Sequence, residues 1–173
     1  MNSVLIHHIV RFVVFIFLQV IVLNRINLTF GSFNYAHLLI YSIPIILLPL
    51  NTPRPVTICL GFVVGLIIDL FFDSPGIHAS ALTATAFCRK YILQLLEPIE
   101  GYKVGSAINL TNMRMPWLLG YISILLFFHL CWYFSIEAFS FVYLKEILLR
   151  IISSFIVSYV LTILILIIYN PKY

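Results

Sequence analysis

The sequence predicts an all-α membrane protein, a bundle of about six transmembrane helices with almost no soluble mass. Hydrophobic residues make up 62% of the 173 residues and charged residues only 9%, whereas about a quarter of the residues in soluble proteins are charged. The charged residues leave uncharged apolar stretches of about 15–24 residues between them, and about 20 residues suffice to cross the hydrocarbon core as a helix. Spanning helices therefore explain the composition better than a soluble fold.

The predicted helices follow these apolar stretches and form a single polytopic domain over residues 1–173. Their bounds are Val4–Leu23, Tyr35–Leu50, Pro55–Phe72, Gly76–Leu96, Pro116–Ile136 and Leu148–Tyr169. The first helix lacks a small-residue cleavage pattern at its end and is expected to remain as a signal anchor. Short turns are predicted around Pro53 and Pro55 and at Ser74-Pro75-Gly76.

Orientation follows from the basic residues in the loops, because cytoplasmic loops are rich in Lys and Arg. With the N-terminus inside, the cytoplasmic segments hold Arg54, Arg89, Lys90, Lys103, Arg114 and Lys172, and the outer loops hold Arg25 and Lys145. Both termini are therefore predicted to be cytoplasmic. The longest stretch between helices, Glu97–Met115, becomes the main cytoplasmic loop, and it is too short to fold alone.

Several function classes are disfavoured by the residues present. The net charge of +4 comes from basic residues scattered at helix ends, so a nucleic-acid surface is not expected. The cysteines, Cys59, Cys88 and Cys131, lie inside apolar stretches with no paired spacing, which predicts neither a disulfide framework nor a zinc site. We expect no metal or cofactor. The sequence also lacks a P-loop, a nucleophile elbow and a zinc-protease motif, so no catalytic residue is predicted.

Ionisable residues inside the spans are costly and therefore mark candidate sites. Asp69, His129 and Arg150 fall at similar predicted depths on three helices, which predicts a polar cluster in the outer half of the membrane. Asp69 has two interpretations, a structural ion pair with Arg150 or a carboxylate read by a partner. Glu146 lies four residues before Arg150, so a local pair on one helix is an alternative for that arginine. Arg11 is expected to snorkel to the cytoplasmic headgroups.

Small residues on the third and fourth helices predict close helix packing. Gly61 and Gly65 form a GxxxG pattern, and the fourth helix carries Ser80 and Ala84 among several small residues. Such a face allows two backbones to approach closely. We predict that this face, which then includes Asp69, is presented to a transmembrane helix of a partner protein. The alternative is that the two helices pack on each other as a hairpin.

Residues 61–92, GFVVGLIIDLFFDSPGIHASALTATAFCRKYI, resemble the signature of the bacterial rod-shape-determining MreD family. The matching positions are Gly61, Gly65, Leu66, Asp69, Pro75, Gly76 and Ala81. The length and the six predicted spans are also similar to that family over nearly the whole chain. Outside residues 61–92 the likeness is one of architecture, so no partner-binding residue is carried over.

The resemblance implies a non-enzymatic adaptor of the cell-elongation machinery in the bacterial cytoplasmic membrane. Its expected partner is MreC, with RodA, an elongation-specific transpeptidase, MreB and membrane lipid as further partners. The family is similar in fold to the substrate-binding S components of energy-coupling-factor vitamin transporters, which supplies the runner-up function. A third class, an intramembrane hydrolase, would require two catalytic groups within hydrogen-bonding reach, and Asp69 with His129 is the pair to test.

Overall fold

The chain folds into one long helix, a small β-hairpin, a short helix and four further long helices. The computed structural model describes residues 2–23, 28–30, 33–102, 108–110, 112–139 and 144–169. Helix α1, Asn2–Phe17, continues as a π-helical turn, Leu18–Val22, and is followed by the antiparallel strands β1, Leu28–Phe30, and β2, Phe33–Ala36. The other helices are α2 Ile43–Ile46, α3 Arg54–Phe72, α4 Ile77–Leu95, α5 Met115–Ala138 and α6 Leu144–Tyr169.

Membrane-protein character is confirmed by three helices. Arg54–Phe72, Met115–Ala138 and Leu144–Ile168 are each long and apolar enough to cross a membrane. Ile9–Val22 is apolar but shorter, and α4 is as long as α3 but carries two adjacent cations, Arg89 and Lys90. By length and composition, three of the six predicted spans are therefore found in the described ranges, and a six-span bundle is not.

Five predicted helices agree with the structure within a few residues at most of their ends. The long helices begin where prolines permit: both α3 and α5 have a proline in their first turn, where the missing N–H costs no helical hydrogen bond. Helix α6 begins four residues before the predicted start at Leu148. Lys103 in the predicted Glu97–Met115 loop, together with Arg25 and Lys172, lies outside the described residues.

The second predicted helix, Tyr35–Leu50, is wrong for most of its length. Residues 33–36 form strand β2, residues 37–42 are not helical, and only Ile43–Ile46 makes a helical turn. Almost all side chains from Ala36 to Leu48 are buried, so the rest of the protein shields this backbone from lipid. Non-helical backbone is tolerated at membrane depth only under such cover. We call residues 37–49 the irregular segment.

Side chains from distant helices satisfy the backbone of the irregular segment. In the π-helical turn, the buried Gln19 donates to the carbonyl of Leu38 at 2.8 Å and accepts the N–H of Ile40 at 2.9 Å. On α6, Ser154 and Ser158 accept the N–H groups of residues 37 and 39 at 2.9 and 3.1 Å. These bonds replace the helical hydrogen bonds that the segment lacks, as buried backbone requires.

Two buried arginines complete the same set of bonds. Arg11 of α1 is only 3% exposed, and its guanidinium donates to the carbonyls of residues 44 and 47. Arg89 of α4 donates to those of residues 48 and 49, and the hydroxyl of Tyr121 donates to that of Ile46 at 2.8 Å. The prediction that Arg11 snorkels to the headgroups is therefore wrong, because carbonyls left free by the short helix α2 hold its charge inside the bundle.

The apolar core and the outer surface are both hydrophobic, as expected for a bundle in lipid. One core cluster joins Ile68 of α3 with Leu82 of α4 and Leu130 of α5, and a second surrounds the buried Tyr121. Large apolar side chains also cover the outward faces of α1, α3 and α6, where Leu70, for example, is 80% exposed. A soluble protein would rarely expose so much apolar surface.

Candidate functional site

Helices α3 and α4 form a tight hairpin because two glycines let their backbones touch. A Cβ atom added at Gly65 would lie 2.7 Å from the backbone nitrogen of Ala79, and one added at Gly61 would lie 3.0 Å from the carbonyl oxygen of Leu82. Hairpin packing, one of the two interpretations of the GxxxG pattern, is therefore what the structure shows. The other interpretation needs correction, since α4 already covers Gly61 and Gly65 and leaves no room there for a partner helix.

Asp69, in the last turn of α3, supplies the cap of α4. Its Oδ2 accepts the N–H of Ala79 at 2.9 Å, and its Oδ1 accepts the N–H of His78 and the hydroxyl of Ser74, both at 2.9 Å. The N–H groups of a first helical turn have no partner within the helix, and the helix dipole favours negative charge there. The N-cap position itself is Gly76, which has no side chain to offer, so the preceding helix provides the carboxylate.

The turn between the helices depends on two left-handed residues. Asp73 has φ 51° and Gly76 has φ 84°, a region that costs other residues roughly 1–2 kcal/mol. The backbone N–H of Asp73 donates to the carbonyl of Asp69 and closes α3. The Asp73 side chain is exposed, so the two carboxylates, four residues apart, lie in different surroundings. Only Asp69 belongs to the buried polar core.

His78 is a second direct side-chain partner of Asp69, beside Ser74. Its Nδ1 lies 3.0 Å from Oδ1 of that carboxylate, and because a carboxylate only accepts, we assign the ring proton to Nδ1. The ring is 1% exposed and is surrounded by the rings of Tyr41, Phe72 and Tyr133 at centroid distances of 5.0–5.3 Å. Its Nε2 makes no hydrogen bond with the described part of the chain.

His129 belongs to a second, adjoining group. Its Nδ1 lies 2.9 Å from the hydroxyl of Thr85 on α4, and its Nε2 lies 3.0 Å from the hydroxyl of Tyr41 in the irregular segment. The Tyr41 ring also meets the His78 ring edge-on. Asp69 and His129 are thus joined through His78 and Tyr41, without a direct hydrogen bond among the residues described. This arrangement replaces the predicted contact between them.

Arg150 does not join this core. It lies on α6 beside Glu137 and Glu146 in a groove, and within the described ranges it forms neither a hydrogen bond with Asp69 nor an ion pair with Glu146. The predicted cluster of Asp69, His129 and Arg150 therefore divides into a buried histidine core and a separate partly exposed arginine. The alternative local pair between Glu146 and Arg150 is also not formed.

The predicted packing face has one part that remains accessible. Ser80 and Ala84 are half-buried, four residues apart on the side of α4 that does not press on Gly61 and Gly65. The hydroxyl of Ser80 donates to the carbonyl of Ile77 at 2.9 Å, so it is satisfied within its own helix. Asp69, by contrast, is 7% exposed, and its oxygens are occupied by α4.

The polar contacts of this core join the helices to one another. The carboxylate of Asp69 accepts from Ser74, His78 and Ala79, and Nε2 of His78 lies among aromatic rings. Among the described residues, no group of three His, Cys, Asp or Glu side chains is placed to hold a metal ion. What the arrangement can do is fix the relative positions of α3, α4, α5 and the irregular segment through buried polar contacts.

Sequence reasoning missed most residues of the polar core. Ser154 and Ser158 are fully buried, as is Thr162 four residues further on, and this regular spacing on an otherwise apolar helix was a usable signal for a polar face. His78 stands inside the stretch that carries the family resemblance, beside a helix start. Gln19 and Tyr41 gave no such signal, because their partners lie on elements distant in the sequence.

Comparison with known protein families, with curated proteins and with solved structures finds no match.

Proposed function

We propose that this chain is a non-enzymatic intramembrane adaptor of the MreD type in the bacterial cytoplasmic membrane. In this role it binds MreC and helps to couple MreB filaments to side-wall peptidoglycan synthesis by RodA and an elongation-specific transpeptidase. The observation that carries the proposal is that five of the seven residues behind the resemblance build the α3–α4 hairpin. They shape a scaffold, and nothing in their geometry requires a substrate.

The role of each of these residues supports that interpretation. Gly61 and Gly65 allow the close approach of α4, Asp69 caps α4, Gly76 provides the left-handed turn, and Ala81 is fully buried. The Asp69 carboxylate is 7% exposed and already accepts from two backbone N–H groups, a hydroxyl and a ring nitrogen, so it is poorly placed to bind a ligand. Function is therefore expected on the outward faces of the helices, which is where an adaptor meets its partners.

We place the partner surface in the groove between α1 and α3, because the Gly61–Gly65 face is occupied. This α1–α3 groove has an empty volume of about 640 Å³, including the part open to its surroundings, and its lining is Val13, Ile16, Phe17, Val20, Ile21, Ile67 and Phe71. Every one of these side chains is apolar. A single transmembrane helix such as that of MreC can insert its side chains there, where van der Waals packing supplies most of the affinity.

The orientation with both termini in the cytoplasm remains part of the proposal. The guanidinium of Arg54 lies over the rings of Phe87 and Tyr91 and donates to the Tyr91 hydroxyl at 3.1 Å. The exposed Lys90 follows on the same helix. Tyrosine and cations are the usual anchors at a membrane surface, and cations favour the cytoplasmic one. This end of the α3–α4 hairpin therefore fits the cytoplasmic headgroup region.

The runner-up function, an S component of a vitamin transporter, makes a different use of the irregular segment. Transporters commonly bind substrates at unwound helices whose backbone groups are free. Here those groups are bonded to Arg11, Gln19, Arg89 and Ser158, among others. We prefer the adaptor for this reason.

The test is co-purification from native membranes in mild detergent, with the recovered proteins identified by mass spectrometry. Ile67→Trp fills the α1–α3 groove and should abolish recovery of MreC. Ile156→Trp, at a 56% exposed site on α6, is the matched control and should leave recovery unchanged. Equal recovery with both variants would remove the groove from the proposal. Recovery of a transport ATPase pair with its membrane coupling subunit would overturn the adaptor itself.

A further inference from the structure

A second groove lies where α5 ends and α6 begins. It has an empty volume of about 450 Å³, including open space, and its lining residues are Phe134, Glu137, Ala138, Glu146, Ile147 and Arg150. We call it the α5–α6 groove. Three of its six side chains are charged, in a chain where only 9% of residues are. Neither the polar core nor the proposed partner surface involves any of the three.

The charged side chains of the α5–α6 groove do not pair with one another. Within the part of the chain that the structure describes, the side chains of Glu137, Glu146 and Arg150 form no ion pair within 4.0 Å and no hydrogen bond. The half-buried His37 and the ring of Tyr133 lie within electrostatic range of Glu137 and Arg150. The groove thus combines the five N–H donors of one guanidinium with two carboxylate acceptors. A ligand that carries both a negative and a positive group would supply partners for all three side chains.

The charged residues are ordered along the helices. Glu146 precedes Arg150 by four residues on α6, which places the Cα of Arg150 about 6 Å further from the start of that helix at 1.5 Å per residue. Glu137 is the last acidic residue of α5, one position before its end at Ala138. The carboxylates therefore lie near the helix ends, and the guanidinium lies below them. A zwitterionic phospholipid has the same order, with its ammonium group outermost and its phosphate closer to the acyl chains.

We propose that the α5–α6 groove binds the headgroup of a zwitterionic phospholipid of the ethanolamine type. Glu137 and Glu146 accept hydrogen bonds from the ammonium group, and Arg150 donates to the phosphate, a pairing for which the guanidinium fork is suited. The acyl chains then run along the exposed apolar face of α6, where Leu148 and Ile152 are 49% and 53% exposed. This inference does not depend on the adaptor function.

Other lipid headgroups complement the groove less well. An anionic glycerol headgroup would satisfy Arg150 through its phosphate but has no ammonium group to donate to the two carboxylates. A choline headgroup has the correct charges, but its trimethylated nitrogen has no N–H to donate. We expect the groove to distinguish strongly between headgroups that differ by one unmet hydrogen bond, because a buried group left unpaired has lost its hydration without any compensation.

The experiment measures lipid retention by the purified chain. The protein is reconstituted in nanodiscs of equal parts phosphatidylethanolamine, phosphatidylglycerol and phosphatidylcholine, released, and examined by native mass spectrometry. We expect phosphatidylethanolamine to be retained in preference to the other two. Arg150→Gln should lower its retention about tenfold, the loss expected for one charge-assisted interaction.

Neutralising the two carboxylates makes the test sharper. In the double variant Glu137→Gln/Glu146→Gln only Arg150 remains charged, so the preference should change from phosphatidylethanolamine to phosphatidylglycerol. Lys145→Gln is the matched control, because Lys145 is exposed on the same turn of α6 but does not line the groove, and it should retain the wild-type preference. If Arg150→Gln is not monodisperse, the double variant decides alone.

Three results would overturn the proposal. They are equal retention of the three lipids by the wild-type chain, retention of phosphatidylethanolamine by the double variant at the wild-type level, and loss of that retention in Lys145→Gln. Soluble glycerophosphoethanolamine is titrated in parallel to identify the source of the headgroup. Saturation by the soluble compound without any lipid preference would show that the groove binds a small zwitterion instead of a lipid.

Discussion

The close approach of α3 and α4 predicts how the two glycines of the GxxxG pattern respond to one added methyl group. In Gly65→Ala the new Cβ would lie 2.7 Å from the backbone nitrogen of Ala79 and 2.8 Å from the carbonyl oxygen of His78. Backbone atoms cannot rotate away, so the helices must separate, and overpacking of this kind costs about 3 kcal/mol, the upper end of its usual range. Alanine returns about 1 kcal/mol through helix propensity.

The net destabilisation of Gly65→Ala is then about 2 kcal/mol, which lowers the melting temperature by about 4–8 °C in a chain of this size. Gly61→Ala should be near neutral, because its Cβ would lie 3.0–3.1 Å from its neighbours, which need to move only slightly. Gly120→Ala is the matched control. Nothing lies within 4 Å of its added Cβ, so helix propensity should raise the melting temperature by about 2–4 °C.

Melting of the detergent-solubilised chain is followed by tryptophan fluorescence. Trp117 is a suitable reporter, because its indole N–H donates to the carbonyl of Leu96 at 2.7 Å and changes surroundings when the bundle opens. The expected order of melting temperatures is Gly120→Ala highest, then wild type with Gly61→Ala, then Gly65→Ala. A Gly65→Ala variant that melts at or above the wild-type temperature would refute the claim that α4 presses directly on this position.

Three further predictions use the same melting assay. Asp69→Asn should lower the free energy of unfolding by about 1–3 kcal/mol, because an amide cannot accept all the hydrogen bonds that the carboxylate accepts. Asp73→Asn, at an exposed site, should leave it unchanged. Equal effects of the two substitutions would contradict the capping role of Asp69. Ser158→Ala leaves a buried N–H of the irregular segment unpaired at a similar cost. Ser123→Ala is its control, because the Ser123 hydroxyl donates to the carbonyl of Gly120 within its own helix. Burial raises the pKa of Tyr102 to about 12, whereas the phenol of the unfolded chain ionises near pH 10. The folded state therefore loses stability from this residue as the pH rises from 10 to 12. Tyr102→Phe should remove this component of the fall in melting temperature at alkaline pH.

The long helices could be predicted because a helix that spans lipid must be apolar over about 20 residues, and this length is visible in the sequence. Helices α3 to α6 appear in the sequence as mainly apolar runs bounded by prolines, glycine or charges, with a few ionisable residues inside them, and the structure agrees with their bounds within a few residues. The irregular segment has the same composition as a helix. Its backbone is satisfied by Gln19 and by Ser154 and Ser158 on α6, more than a hundred residues away in the last two cases, and such pairings leave no local pattern to detect.

The candidate site was predicted in part. A carboxylate in an apolar helix needs a partner, which correctly marks Asp69 as a residue of the polar core, but the partners expected from depth are the wrong ones. Depth pointed to His129 and Arg150, whereas the turn at Gly76 folds His78 back onto Asp69 only nine residues later in the chain. A search for partners across the nearest turn would have found the capping contact, since helix starts attract carboxylates.

The bonds between α6 and the irregular segment have a consequence for biogenesis. During synthesis residues 37–49 leave the ribosome long before Ser154 and Ser158 do. In lipid without α6, the N–H groups of residues 37 and 39 would have no acceptor. Until then the segment must remain outside the lipid or adopt a transient helical conformation. It reaches its final conformation only after α6 has inserted. A chain truncated before α6 should be recognised as incomplete by membrane quality-control proteases, although its first helices are intact.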